Sequence, residues 1–261
     1  MTKLLKKAAL MLGAVLLATS IPVSTQAKPK ELSNSINAGD TVYFGKYEQD
    51  GNTKNGKEKI EWQVLEKKGN KSLLISKKVL DVQPYNKEKK DITWEKCTLR
   101  KWLNKDFIKE SFNSKESKKI QNSKIKNKDN IYKGEYGSWH TKGGKDTTDK
   151  VFLLSIDEAN KYYKTDEKKT AEITNYGIKR IAKAWGLTEK DFKGEYLSEN
   201  NNWNYLLRSP GCLQDCAAIV YGGGSVYEDG NFVYYDGGVS VLGGFVDLVS
   251  SGVRPALWVN L

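Results

Sequence analysis

Alternation of apolar and polar positions predicts three β-strands in the first third of the chain. TVYFGKY (41–47) and IEWQVLE (60–66) both alternate, as expected for strands that bury one face. A polar loop rich in Gly and Asn separates them, and Gly69-Asn70 marks a turn before KSLLISKKVL (71–80). Strand patterns bounded by turn residues predict a meander of three strands here.

The next segment, residues 92–112, changes to a helical period. Its apolar positions are Leu99, Trp102, Leu103, Phe107 and Ile108. This spacing predicts one helix over 92–112, with Thr93 or Thr98 as its N-cap.

Two further helices are predicted in the middle of the chain. Ser155 with Glu158 forms a capping box, so a helix is expected over 155–163, directly after a short buried strand at 151–155. A second amphipathic helix is expected from Thr174 to Trp185, with Gly186 as its stop signal. The Lys-, Asn- and Gly-rich stretch 113–150 is expected to be a long loop with one helical turn near Ser117–Gln121.

Composition changes from Trp203 onward. Lys is absent after Lys193, and Gly, Val, Tyr and Ser dominate. Seven segments in this region are typical of short antiparallel strands joined by Gly turns. They are NYLLRSP, AAIVYGGG, SVYEDG, NFVYYDGG, VSVLGG, FVDLVSSG and VRPALWV. Because no Pro- or Ser-rich linker interrupts the chain, we expect residues 38–261 to form one α+β domain.

The N-terminus has the pattern of a secretory signal peptide. Lys3, Lys6 and Lys7 precede an apolar run over 8–17 that is too short for a comfortable membrane span. Small residues at Thr25 and Ala27 predict cleavage after Ala27, so that 1–27 is removed and 28–37 is a linker. The alternative is an uncleaved N-terminal anchor. We therefore expect a secreted, extracellular protein with no transmembrane segment after cleavage.

Charge and composition exclude several function classes. The 261 residues carry a formal net charge of +11, with 43 Lys and Arg against 32 Asp and Glu. The single histidine, His140, excludes a His-rich zinc site, and no P-loop motif is present. The dispersed Lys residues favour a solvated surface or weak attraction to anionic wall polymers or membrane surfaces. Nucleic acid is not an expected partner.

Three blocks resemble an exported bacterial domain family of unknown function. They are VYFGKYEQDG with IEWQVLE and SLLISKKVLD (42–81), TWEKCTLRKWLN (93–104) with DTTDKVFLLSIDEA (146–159), and WNYLLRSPG (203–211) with GVRPALWV (252–259). The blocks occur in the family's order over residues 40–260. One departure is that Trp203 and Tyr205 flank Asn204, where the family usually has two adjacent Trp residues.

The C-terminal part is in turn similar to the C-type-lectin-like fold, whose bacterial versions include formylglycine-generating-enzyme-like domains. This similarity rests on the W…LRS segment, the Gly-rich loops and the terminal G-V-R strand. It implies a mixed fold of antiparallel strands with flanking helices and a loop-rich aromatic surface that binds ligands. It does not imply calcium or sugar binding.

The Gly- and Tyr-rich region supplies the candidate ligand-binding residues. Tyr offers a large amphipathic contact area at low entropy cost, and Gly and Ser loops let it adapt to a partner. The alternative is that half of these aromatic residues face the core, as strand alternation requires. Acidic residues in the region match no EF-hand spacing, so no metal or cofactor is expected. The candidates are Tyr221, Tyr227, Phe232, Tyr234, Tyr235 and Asp236.

Cys212 and Cys216 lie in a C-x₃-C loop, and a disulfide between them is expected in an exported chain, with free thiols as the alternative. Formylglycine-generating enzymes hold copper with a cysteine pair, but the resemblance places that pair elsewhere and at another spacing. Cys97 is the odd cysteine, and a buried small apolar side chain is its expected role.

Three of the four arginines lie in dense apolar motifs and are expected to be structural. Arg100, Arg208 and Arg254 are each expected to bridge a buried carboxylate or strand carbonyls. Local context suggests carboxylate partners among Asp40, Glu61 and Glu95, and core tryptophans at Trp102, Trp203 and Trp258.

These patterns lead to one functional hypothesis and two alternatives. We expect an exported ligand-binding module without catalysis, whose Gly/Tyr loops recognise a glycan, a cell-wall polymer or a protein surface. One alternative is an oxidoreductase related to formylglycine-generating enzyme, which needs two cysteines at copper-binding distance. The other is a structural or assembly module of the cell envelope, which would show a flat apolar patch.

Overall fold

Two large sheets, two two-stranded sheets and six short helices make up the computed structural model, which describes residues 28–134, 137–197, 200–222 and 239–261. The strands are β1 (Lys30–Glu31), β2 (Thr41–Tyr47), β3 (Glu58–Lys68), β4 (Lys71–Ser76), β5 (Asp81–Val82), β6 (Ser123–Ile125), β7 (Asn130–Gly134), β8 (Gly137–Thr141), β9 (Thr147–Asp149), β10 (Val151–Phe152), β11 (Tyr205–Pro210), β12 (Cys216–Val220), β13 (Val239–Phe245), β14 (Gly252–Val253) and β15 (Ala256–Asn260). The helices are α1 (Thr98–Trp102), α2 (Ile108–Ser111), α3 (Ser114–Lys119), α4 (Ile156–Tyr162), α5 (Asn175–Trp185) and α6 (Glu189–Tyr196). A π-helical turn, Leu103–Phe107, joins α1 to α2, and a 3₁₀ turn lies at Glu167–Lys169.

The predicted meander is confirmed as the centre of a six-stranded sheet, ordered β1-β2-β3-β4-β15-β10. Alternation in β3 buries Ile60, Trp62 and Val64 completely, as the pattern required. The C-terminal strand β15 pairs antiparallel with β4, with Trp258 opposite Leu73. The end of the chain therefore completes the sheet that its beginning starts.

The C-terminal region forms a second, five-stranded sheet, ordered β13-β12-β11-β14-β5. Most neighbours are antiparallel, and β11 with β14 is a parallel pair. Its buried apolar residues join those of the first sheet in one continuous core. This mixture of helices and mainly antiparallel sheets confirms the α+β class.

Local capping signals placed two helices correctly. In α4, the hydroxyl of Ser155 accepts a hydrogen bond from the N–H of Glu158, whose carboxylate accepts one from the N–H of Ser155. Helix α5 is capped by Thr174 and ends at Gly186, whose φ of +70° is the left-handed conformation that glycine adopts without strain.

The predicted helix 92–112 is wrong at its start and in its geometry. Helix α1 begins only at Thr98, and its N-cap is neither Thr93 nor Thr98 but Cys97, whose Sγ accepts from the N–H of Arg100 at 3.4 Å. Residues 93–97 instead form turns that bury the indole of Trp94. Periodicity alone could not separate this tertiary arrangement from one more helical turn.

Three other segments differ from their predictions. Residues 113–150 contain the predicted helical turn as α3, shifted towards the N-terminus, but the expected loop around it also holds the strand pairs β6–β9 and β7–β8. The expected linker 28–37 contributes β1, which pairs with β2, and buries Ile36 completely. FVDLVSSG (245–252) is mostly turn, because only its two ends belong to strands.

Within these described ranges, no helix is both long enough and apolar enough to cross a membrane.

Candidate binding site

A cleft of about 800 Å³ lies beside α1 and the π-helical turn. The other wall comes from the chain that follows β5, at Gln83, Pro84 and Lys87, and from Thr148 in β9. Volumes of this size hold a small molecule or a short stretch of polymer. The helical wall contributes Thr98, Leu99, Arg100, Lys101, Trp102, Asn104, Lys105 and Asp106.

Arg100 anchors the helical wall to the strand below it. Its Nε donates to Oδ1 of the fully buried Asp149 at 2.6 Å, and its terminal nitrogens donate to the carbonyls of Glu95 and Thr148 at 3.0 and 3.4 Å. Asp149 also accepts from the indole N–H of Trp94 at 2.9 Å and from the hydroxyl of Thr147 at 2.7 Å. Three donors therefore converge on one carboxylate, which fixes the first turn of α1.

Asn104 holds the π-helical turn in place. Its amide nitrogen donates to the carbonyls of Arg100 and Val151 at 3.0 and 2.8 Å. Its amide oxygen accepts from the N–H groups of Lys150 at 2.8 Å and Val151 at 3.2 Å. Single π turns inside α-helices occur frequently at functional sites. This one presents Lys105 and Asp106 to the cleft while Asn104 ties it to β10.

The cleft is basic and has one aromatic wall. Lys87, Lys101 and Lys105 are exposed, and Asp106 is the single carboxylate among the described residues that line the cleft. Trp102 is half-buried, with its ring centre 5.6 Å from that of Phe107. The prediction that Trp102 belongs to the core is therefore only half right, because one part of the indole packs inward and the residue also lines the cleft.

Most of the predicted aromatic binding surface lies outside the residues that the structure describes. Tyr227, Phe232, Tyr234, Tyr235 and Asp236 lie outside the described residues. Tyr221, the first member of the set, follows β12 and is half-buried. Strands β12 and β13, which precede and follow segment 223–238 in the chain, pair antiparallel with Val220 opposite Val239. The two strands on either side of this segment are therefore neighbours in the sheet.

All three cysteines are free thiols in this structure, so the expected Cys212–Cys216 disulfide is not formed there. Burial raises the pKa of Cys216 to about 12, and the neighbouring Asp215 adds to that effect. Burial likewise raises the pKa of Cys97 to about 12, and this side chain lies fully inside the core, as expected of a small apolar group. Protonated, buried thiols are poor nucleophiles and poor metal ligands.

Arg208 is buried and bridges elements as expected of a structural arginine, although its carboxylate partner was not predicted. It forms a two-point ion pair with Glu158 of the α4 capping box, with one of the contacts at 2.9 Å. It also donates to the carbonyl of Leu153 at 2.8 Å. One glutamate thus caps a helix and neutralises a buried cation.

Arg254 is buried, and no carboxylate among the described residues pairs with it. It donates to the carbonyls of Ser76 and Lys169 at 2.9 and 3.0 Å and to the hydroxyl of Tyr205 at 3.1 Å. Its guanidinium carbon lies 5.4 Å from the ring centre of Tyr163 and 5.2 Å from that of Tyr205. Backbone carbonyls and aromatic faces compensate for the charge of Arg254. The sequence predicts either a buried carboxylate or strand carbonyls as its partners, and the structure shows carbonyls.

The carboxylates suggested by sequence proximity have other partners. Asp40 pairs with Lys30, Glu61 with Lys77, and the side chain of Glu95 with Lys96. Only the backbone carbonyl of Glu95 contacts Arg100. Nearness in the chain is a poor guide to ion pairs, because the partners of Arg100 and Arg208 are about 50 residues away.

Trp203 is confirmed as a core residue. It is 9% exposed, and its indole N–H donates to the carbonyl of Ser250 at 2.8 Å. Its ring centre lies 5.2 Å from Phe192 and 6.2 Å from Trp185, both from the α5–α6 pair.

An acidic cluster, Glu48, Asp50 and Glu58, lies beside a second cleft of about 450 Å³. The carboxylates already accept backbone hydrogen bonds from residues 49–52, with lengths of 2.7–3.3 Å. These bonds explain the cluster as the framework of a tight loop, and it is not a candidate site.

A family described as a domain of unknown function, DUF6273, matches residues 69–261. Neither a curated protein nor a solved structure matches the chain. The matched range begins at the turn before β4 and includes every residue that lines the basic cleft.

Proposed function

Since this chain belongs to the DUF6273 family, whose description names no activity, we propose a function from its own residues. The protein is an exported module that binds a glycan, a wall polymer or a protein surface and performs no catalysis. Export rests on the signal-peptide pattern of residues 1–27. A C-type-lectin-like arrangement of the second sheet is part of this proposal and rests on the W…LRS and G-V-R motifs alone.

The observation that carries the proposal is the basic cleft. Its walls are fixed by the bonds of Arg100 and Asn104, so a ligand would meet a preorganised surface. The side chains that remain available, Lys87, Lys101 and Trp102, suit recognition.

The oxidoreductase alternative requires two cysteines at copper-binding distance. Burial raises the pKa of Cys216 to about 12, so its thiol is protonated at neutral pH unless a bound cation displaces the proton.

An exposed apolar patch supports a second candidate, the structural or assembly module. Leu213, Phe245, Leu248 and Val249 are each between 43% and 56% exposed, and they cluster where β12 begins and β13 ends. Patches of this kind often mark contact surfaces between proteins.

Binding of purified 28–261 to wall polymers, host glycans and matrix proteins tests the proposal. A Tyr234→Ala/Tyr235→Ala variant and a Lys87→Gln/Lys101→Gln/Lys105→Gln variant are measured beside it at two salt concentrations. Salt-resistant binding that is lost in the tyrosine variant supports contact through the Gly/Tyr segment. Salt-sensitive binding that is lost only in the lysine variant supports contact through the basic cleft. Absence of binding to every probe refutes the binding module and favours the assembly module.

A further inference from the structure

The cleft lining carries positive charge that the chain itself does not neutralise. Lys87, Lys101 and Lys105 form no ion pair with any residue that the structure describes. Arg100, in contrast, is paired with Asp149. Among the described residues, three lysines and a single exposed carboxylate, Asp106, therefore line one cavity.

From this imbalance we infer that the cleft binds a phosphate-bearing polymer, with Lys87, Lys101 and Lys105 contacting successive phosphate groups. The inference rests on the proposed binding function and specifies its ligand class. Lysines that line one concave surface attract an anion more strongly than the same charges dispersed over a convex one, because low-dielectric walls focus the field.

The donor chemistry favours phosphate over carboxylate. A planar carboxylate is best recognised by the two-point fork of an arginine, whereas lysine acts as a compact point charge that suits a phosphate oxygen. The cleft has one arginine, Arg100, and all three of its guanidinium nitrogens donate to groups of the chain. The unpaired positive charges available to a ligand are therefore those of the lysines.

The shape of the cleft favours a chain of groups over a single ion. Its volume of about 800 Å³ is far larger than one phosphate, and its lining includes the half-buried indole of Trp102. An indole face offers apolar contact to the uncharged part of a polymer, such as a polyol or a sugar ring. The site thus provides charges for the phosphates and an aromatic face for what joins them.

The basic character is local and is not a reflection of the net charge of the chain. The second cleft is lined by four carboxylates, Asp50, Glu58, Glu61 and Glu172, against two lysines. One of those lysines, Lys78, is paired with Glu172 at 3.0 Å. A polyanion would therefore be attracted to the first cleft and repelled by the second.

A synthetic glycerol phosphate oligomer is the probe that tests the inference, titrated by calorimetry against intact 28–261. The test variant is Lys87→Gln/Lys101→Gln/Lys105→Gln. A matched control, Lys54→Gln/Lys183→Gln/Lys190→Gln, removes the same charge from exposed lysines outside the cleft lining. Thermal unfolding of both variants checks that the fold is intact.

We expect the cleft variant to bind the oligomer roughly 10- to 100-fold more weakly, from three exposed ion contacts, and the control to stay within about threefold of the parent. Equal losses in the two variants would overturn the inference, because dispersed charge would then explain the binding.

Two comparison probes complete the test. Polygalacturonate, a carboxylate polymer, and poly-glutamate, an acidic peptide, should bind more weakly than the phosphate oligomer. Tighter binding of either one overturns the phosphate assignment. If the oligomer does not bind but an uncharged glycan does, the phosphate inference fails while the proposed binding function stands.

Discussion

Replacing Asp149 by Asn tests whether the network under the basic cleft determines the stability of its helical wall. Arg100 Nε, Trp94 Nε1 and Thr147 Oγ1 all donate to the two oxygens of this buried carboxylate. An asparagine of the same shape has one accepting oxygen and an amide nitrogen that can only donate. At least one of the three donors must therefore lose its acceptor, and Arg100 loses its counter-charge.

The magnitude follows from the burial of these groups. A buried donor left without a partner costs about 1–3 kcal/mol, and more when it is charged. We expect Asp149→Asn to lower the free energy of unfolding by about 3 kcal/mol and Asp149→Ala by about 3–5 kcal/mol. For a domain of this size, 3 kcal/mol corresponds to a fall in Tm of roughly 6–12 °C.

Urea unfolding of 28–261 at pH 7, followed by tryptophan fluorescence and circular dichroism, measures the loss. Asp106→Asn is the matched control, because Asp106 is an exposed carboxylate on the same wall and should change stability by less than about 0.5 kcal/mol. A loss below about 1 kcal/mol for Asp149→Asn, or an equal loss for the control, would refute the reasoning.

Three further predictions address other parts of the chain. Gly45 has a φ of +71°, and an added Cβ would lie 2.6 Å from the ring of the buried Phe112. Gly45→Ala should therefore lower the free energy of unfolding, measured in urea, by about 2–4 kcal/mol. A loss below about 0.5 kcal/mol contradicts this prediction. Hydrogen bonds, chiefly from the N–H of Gly143, lower the pKa of Asp129 to about 2. The contribution of ionised Asp129 to the free energy of unfolding is therefore complete above the ordinary aspartate pKa near 4 and is lost as the pH falls towards 2. The difference in free energy of unfolding between the parent and Asp129→Asn should shrink over that range. A difference that is constant with pH counts against the pairing. Iodoacetamide at pH 8 should modify the half-exposed Cys212 before Cys216, because burial raises the pKa of Cys216 to about 12. Peptide mass spectrometry measures the two modification rates. If both thiols are protected until a reductant is added, they form the disulfide expected from the sequence.

Much of the secondary structure was predictable because its signals act within a few residues. The reciprocal bonds of Ser155 and Glu158 and the left-handed Gly186 are local devices, and each lies where the pattern placed it. Alternation over 41–47 and 60–66 likewise identified the strands and the buried face of β3, since side chains on a strand point to opposite sides in turn.

The cleft was not predictable in the same way. Lys101 and Lys105 are visible in the sequence as neighbours on one helix, but nothing local indicates that Lys87 and Thr148 meet them across a cavity. The same holds for Arg100, whose carboxylate partner lies 49 residues further along the chain.

The amino-acid sequence by itself therefore determined the α+β class, the central meander, the capped helices and the structural role of the buried arginines. Tertiary structure alone decided the start of α1, the π-helical turn, the strands within 113–150, the partners of those arginines and the convergence of lysines at the cleft. The reason is physical: capping and periodicity depend on neighbours in the chain, whereas strand pairing, ion pairing and cavity formation depend on which distant segments the common core packs together.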